Sequence, residues 1–152
     1  MENYEKLTKV LSGVAGEYFV AGELSRRGYI ASITLRNTKG VDILAANSDA
    51  TKSIGIQVKT NQGSEKQWIL TKRVEQGTAT NLFLVFVNLN NGQGAPSFHV
   101  VPSQEVADYT RTSHAQWLAG KKLNGRERKD TAIRTFRDPE NRYLDRWALL
   151  SL

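Results

Sequence analysis

Two runs of apolar, largely β-branched residues constrain the fold of this chain most: Ile54-Gly55-Ile56-Gln57-Val58-Lys59 and Leu82-Phe83-Leu84-Val85-Phe86-Val87. The second is unbroken, and a short continuous apolar run bounded by turn formers reads as a central strand buried on both faces. The first is a strand of the same kind, interrupted by an amide and ended by an ammonium. A shorter run, Val41-Asp42-Ile43-Leu44, is interrupted by a carboxylate. Polar groups at such positions need a reason, because burying a charge without a partner is costly. Side chains alternate along a strand, so Gln57 and Lys59 share one face and Val58 takes the other, with Asp42 able to face them from the neighbouring strand.

One carboxylate, one amide oxygen and one ammonium then converge. A hard divalent cation such as Mg2+ takes oxygen ligands from one or two carboxylates, carbonyls and several retained waters. Asp42 and the Gln57 side-chain oxygen are candidate metal ligands. Lys59 is the candidate for orienting a nucleophile at a scissile phosphate, while an ion lowers the pKa of water and polarises the phosphoryl oxygen.

With Glu17 on the preceding helix, these residues resemble the PD-(D/E)xK nuclease superfamily. This is the fold of restriction endonucleases and archaeal Holliday-junction resolvases, in which a helix Glu, a strand Asp and an acid-x-Lys triplet form the site. Gly16-Glu17-Tyr18-Phe19-Val20-Ala21-Gly22-Glu23-Leu24-Ser25-Arg26-Arg27-Gly28-Tyr29 is similar to the first helix of the resolvase-like members. The resemblance maps Glu17 to the helix acid, Asp42 to the second-strand Asp, and Gln57 with Lys59 to the third-strand triplet. It covers about the first sixty residues and rests on a short, degenerate motif. Two departures stand out: Val41 occupies the Pro position, and Gln57 replaces an acid, making this a Gln-x-Lys variant. The resemblance implies a catalytic set of Glu17, Asp42, Gln57 and Lys59. It also implies Mg2+ (or Mn2+) held by Asp42, Gln57 and Glu17, a DNA substrate, and a homodimer for paired cuts on a duplex. Loss of the third acid leaves a second reading, a catalytically degenerate module that binds DNA or a partner protein in an immunity or regulatory role.

Each residue also has a plain structural reading. Glu17 reads equally as a solvated helix acid, Glu23 as a surface acid off its face, Asp42 as a turn-adjacent carboxylate after Lys39-Gly40, and Lys59 as a strand-end lysine whose stem reaches outward.

The chain has 152 residues, the size of one domain, and residues 1–152 are read as a single nuclease-like domain. No apolar run approaches the roughly eighteen residues that span a bilayer. The stretch Met1-Glu2-Asn3-Tyr4-Glu5-Lys6 has no basic segment followed by an apolar one, so a cytoplasmic location without membrane contact is expected. With no cysteine, disulfides, thiol catalysis and Cys-based zinc sites are excluded, and two separated histidines argue against zinc.

A net charge of +6 and a pI near 9.7 favour a polyanionic partner. Lys121, Lys122, Arg126, Arg128 and Lys129 crowd a basic loop at 119–130, followed by Arg134 and Arg137. It reads as a phosphate-contacting flap beside the site, or as a solvated surface loop. Lys72 and Arg73 are further candidate phosphate contacts. His114 and Trp117, three apart on one helix, read either as a substrate-facing pair or as a packed Trp beside a hydrogen-bonded His.

The expected layout is a helix from Asn3 to Arg27, broken near Gly13 and Gly16. Strands follow at Tyr29–Leu35, Val41–Ala46, Ile54–Thr60, Lys66–Thr71, Leu82–Val87 and Phe98–Val101. A helix capped by Ser103 runs through Trp117, and a short helix spans Pro139–Trp147. Gly92-Gln93-Gly94 is a hairpin turn, since no helix start or Walker lysine follows it. The expectation is an α/β, restriction endonuclease-like core of αβββαβ type, with a mixed central sheet flanked by helices.

Overall fold

The computed structural model describes residues 5–35, 38–77 and 79–152. The chain opens with helix α1 (Lys9–Arg26), whose buried residues Ser12, Gly16, Val20 and Leu24 recur every fourth position as one inward stripe. The helix is continuous through Gly13 and Gly16. It starts later than Asn3 because Thr8 is its N-cap, with Oγ1 accepting from Leu11 N at 3.2 Å. The Leu7 amide donates instead to Gln62 Oε1, which draws the preceding residues toward the end of the third strand. Residues 3–4 of the expected helix lie outside the described residues.

Strands β1 (Ile30–Ile33), β2 (Ile43–Ala46) and β3 (Ser53–Asn61) form an antiparallel meander. β4 (Gln67–Thr71) and a 3-10 turn at Lys72–Glu75 then lead to β5 (Leu82–Asn88), which pairs in parallel with β3. β6 (Ser97–Pro102) pairs antiparallel with β5 and runs into helix α2 (Ser103–Ala119). β7 (Ile133–Arg137) returns to pair with β4, and a 3-10 turn at Trp147–Leu150 closes the chain. The result is a mixed five-stranded sheet in the order β1-β2-β3-β5-β6, plus a two-stranded ribbon of β4 and β7. The expected mixed sheet flanked by helices is borne out. The crossover between the parallel pair is a strand and a 3-10 turn rather than a helix, and the second helix follows β6.

Each face of the sheet is covered differently. Val20 and Leu24 of α1 pack with Ile43, Ile56, Val58, Val85 and Val100 in one cluster. Trp68, Leu70 and Phe136 of the ribbon and Val106 of α2 pack with Leu84, Phe86 and Val101 in another. The rings of Phe86 and Phe136 stack at 4.5 Å, and Trp68 Nε1 donates to Val87 O at 3.2 Å, so the buried indole keeps its hydrogen bond.

Gly16 sets the approach of α1. A Cβ at that position would lie 1.9 Å from Thr60 Oγ1, so only a glycine lets the helix meet β3 this closely.

Three local expectations are corrected. Residues 139–146 do not form a helix, because Asn141 and Asp145 take left-handed backbone angles (φ 57° and 53°) and the Asp138 carboxylate accepts from the amides of Arg142 and Tyr143. Pro102, not Ser103, is the N-cap of α2, and Ser103 Oγ donates to Ala79 O. β1 and β2 are shorter than expected, leaving Asp42 just ahead of β2. Among the described residues, no helix is long and apolar enough to cross a membrane.

Candidate functional site

The pairing of β2 with β3 ends at Ile43 opposite Ile56, and the chain at Asp42 peels away from the ladder. The Asp42 amide still donates to Ile56 O at 2.8 Å, while its Oδ2 accepts from the Val58 amide at 2.7 Å. The carboxylate thus takes the place of the next rung, satisfying a donor that the departing strand would leave unpaired. Thr34 fixes the other side of this joint, its amide donating to Asp42 O and its hydroxyl to Val41 O.

Ile43 and Ile56 face the α1 cluster, so strand alternation turns Gln57 and Lys59 toward the opposite face, while the Asp42 carboxylate, just ahead of β2, is held at the Val58 amide between them. There Gln57 and Lys59, both half-buried, line a cleft of about 660 Å3 whose far wall includes Thr71, Arg73, Val74 and Gln76. Asp42 abuts this cleft through the backbone at Val58. Glu17 is half-buried on α1, next in sequence to the Gly16–Thr60 contact, and is not among the residues lining the cleft. The Asp42 carboxylate is therefore held at the backbone between Gln57 and Lys59, and those two side chains share the cleft.

The basic residues divide. Lys72 and Arg73 are exposed on the turn after β4, Arg73 on the cleft wall. Lys121, Lys122, Arg126 and Lys129 are exposed on a hairpin closed by the Lys121–Glu127 bridge, and none of them lines the cleft. Arg128 is tied down: its Nη1 donates to Trp117 O at 2.6 Å and its guanidinium lies 5.0 Å from the Trp117 ring centre. Arg134 is buried against Glu75, so it braces the turn that forms the cleft wall. Nothing in the sequence signals that pair, since its members are 59 residues apart.

His114 Nε2 meets Asp130 Oδ1 at 2.7 Å and the imidazole stacks on Trp117 at 5.4 Å. The hydrogen bond from His114 holds the Asp130 carboxyl below its ordinary pKa. His114 is thus the hydrogen-bonded His expected, but Trp117 is exposed rather than packed in the core, and both border a separate cleft of about 340 Å3 with Ile133, Thr135 and Arg137.

No protein-family model matches the chain, and no curated protein matches it. Among solved structures, a bacterial homing endonuclease, I-Ssp6803I, superposes with a TM-score of 0.59 at 14% identity, over 96% of this chain and 94% of that one. The chain has the restriction endonuclease-like fold. The structure of Hjc, a Holliday junction resolvase of Archaeoglobus fulgidus, overlaps at a TM-score of 0.48 and 15% identity, over 83% and 84% of the two chains.

Within the restriction endonuclease-like fold, the residues picked out by resemblance fall on α1, at the entry to β2 and on β3. Their donor set decides which ion they fit. Among the described residues, no three His, Cys, Asp or Glu side chains cluster as a metal cage. Asp42 engages its backbone partner through Oδ2 alone, leaving Oδ1, and Gln57 adds a neutral oxygen at the cleft. That set fits a hard ion that keeps most of its waters, such as Mg2+ or Mn2+, and does not fit zinc, which prefers nitrogen and sulfur ligands.

Proposed function

We propose that this protein is a divalent-metal-dependent DNA endonuclease of restriction or resolvase type. The observation that carries the reading is the Asp42 carboxylate, pinned by the Val58 amide beside Gln57 and Lys59 at a basic-walled cleft. Asp42 and Gln57 would hold Mg2+ or Mn2+, with Glu17 contributing directly or through water. When bound, the ion supplies a lowered water pKa and charge stabilisation at the phosphoryl group.

Lys59 shares the strand face of Gln57, so its ammonium orients the attacking oxygen and offsets charge on the phosphate. Arg73 and Lys72 hold the backbone of the substrate across the cleft, and Lys121, Lys122, Arg126, Arg128 and Lys129 extend the positive surface. Val58 fixes the carboxylate, and the turn braced by Arg134 and Glu75 fixes the opposite wall.

Gln57 in place of an acid favours a second reading, a scaffold of this fold that binds DNA or a partner protein without cutting. Cleavage of supercoiled, linear, branched and single-stranded DNA with Mg2+ or Mn2+ tests both, comparing wild type with Asp42→Ala and Lys59→Ala. Metal-dependent cutting lost in both variants supports the endonuclease. DNA binding without cutting, unrescued by Gln57→Glu, supports the scaffold.

A further inference from the structure

The ribbon of β4 and β7 has two unlike faces. Its inner residues Trp68, Leu70, Arg134 and Phe136 are all buried. Its outer row is Gln67, Ile69 and Thr71 on β4, opposite Arg137, Thr135 and Ile133 on β7. Ile69 is 74% exposed and Ile133 58% exposed, diagonal neighbours on the pleat, and no acidic side chain stands in this row. Arg137 Nε donates to Gln67 Oε1 at 3.2 Å, which aligns two planar hydrogen-bonding groups side by side at one end. At the other end Thr71 and Arg73 belong to the wall of the Gln57–Lys59 cleft.

We propose that the outer face of the β4–β7 ribbon is a sequence-reading surface that enters the major groove of duplex DNA. The inference deepens the endonuclease reading and rests on its choice of DNA as substrate. The major groove, about 12 Å wide and 8.5 Å deep, admits a two-stranded ribbon. Five residues of strand span about 17 Å. The chemistry of the row matches what the groove displays: Gln pairs with the adenine edge, Arg with the guanine edge, and Ile or Thr with the thymine methyl. Charge supports the same occupant, since Arg73 follows Thr71 on the cleft wall, Lys72 is exposed beside it, and the chain carries +6 overall. Packing of Trp68 and Phe136 on Phe86 makes the ribbon a rigid reader, not a loop that must order on binding.

The absence of cysteine gives a direct test. Ile69→Cys, Ile133→Cys and, as a control away from the ribbon, Leu149→Cys each introduce one thiol on an exposed position. Alkylation is timed with and without duplex DNA, with no divalent ion present. With duplex at about ten times its dissociation constant, alkylation at 69 and 133 slows about tenfold and that at 149 is unchanged. In a selection from random duplexes, Gln67→Ala and Arg137→Ala relax the preference at one base position each by about tenfold, without the general loss expected of Lys72→Ala. Unprotected thiols on DNA that is bound and cut overturn the ribbon and leave the endonuclease standing. Protected thiols on DNA that is never cut uphold the ribbon and remove the endonuclease; a protein that binds no duplex overturns the ribbon, and the endonuclease with it only where branched and single-stranded DNA also stay uncut.

Discussion

The two faces of the sheet at β3 differ sharply. Toward α1 the strand shows Ile54, Ile56 and Val58, all buried, and meets the helix at Thr60 against Gly16. Toward the ribbon it shows Gln57 and Lys59, half-buried at a cleft. The ribbon and α2 cover Leu84, Phe86 and Val101 of β5 and β6 but stop short of β2, where Leu44 remains 54% exposed. A strand can carry polar groups where its cover ends, and here the edge of the cover is the cleft of Gln57 and Lys59. The α1 face supplies a dry backing that holds the strand still, and the ribbon face supplies a place where solvent, ions and a phosphate can reach it.

The comparison breaks first at the core. Phe86→Ala removes a fully buried ring stacked on Phe136 and is expected to cost about 3–5 kcal/mol in urea unfolding. A much smaller loss would mean that the ribbon is not firmly seated. Lys59→Met sharpens the functional side: cleavage should fall about a hundred- to a thousandfold. Its unfolding midpoint should barely move, a change of about 0.5 kcal/mol or less. Large destabilisation by that change would return Lys59 to a structural role.

Gly16→Ala probes the backing itself. The added methyl meets Thr60 Oγ1, so the helix must shift, at a cost of about 1–3 kcal/mol measurable by thermal melting. The smallest effect is expected from acid. Burial pushes the Asp138 carboxyl up, but the hydrogen bonds from His99 and from the amides of Tyr143 and Arg142 outweigh it and hold the pKa below its ordinary value. A carboxylate depressed on folding contributes stability that is complete above its unfolded pKa, near 3.9, and is lost as pH falls through the lower folded value. Hydrogen exchange below about pH 4 should therefore rise at residues 142–143 before it rises in β3.

Much of the sheet was legible because its strands are nearly pure: Leu82 to Val87 admits no other element, and Ile54 to Lys59 alternates only where its cover ends. Asp42 and Lys59 stand out in the sequence for the same reason, as charges placed in runs that resist them, and the structure sets the Asp42 carboxylate on the Val58 amide and Lys59 at a cleft. β7 was not, because Ile133-Arg134-Thr135-Phe136-Arg137 hides an inward arginine whose partner, Glu75, lies far away in sequence. The segment 139–146 misled because its capping turns, set by Asp138 and two left-handed residues, use the same polar residues that open helices. The outer row of the ribbon had no signature until pairing set Gln67 beside Arg137.

The hydrogen bond between Asp42 and Val58 has a spectroscopic consequence. A backbone amide that donates to a carboxylate oxygen records what happens at the other oxygen of that carboxylate. An approaching cation withdraws electron density from the carboxylate and weakens its bond to the amide, shifting the amide proton resonance upfield. One peak in a nitrogen–proton correlation spectrum, that of Val58, should then move with divalent-ion concentration even in the slow-cutting Lys59→Met variant.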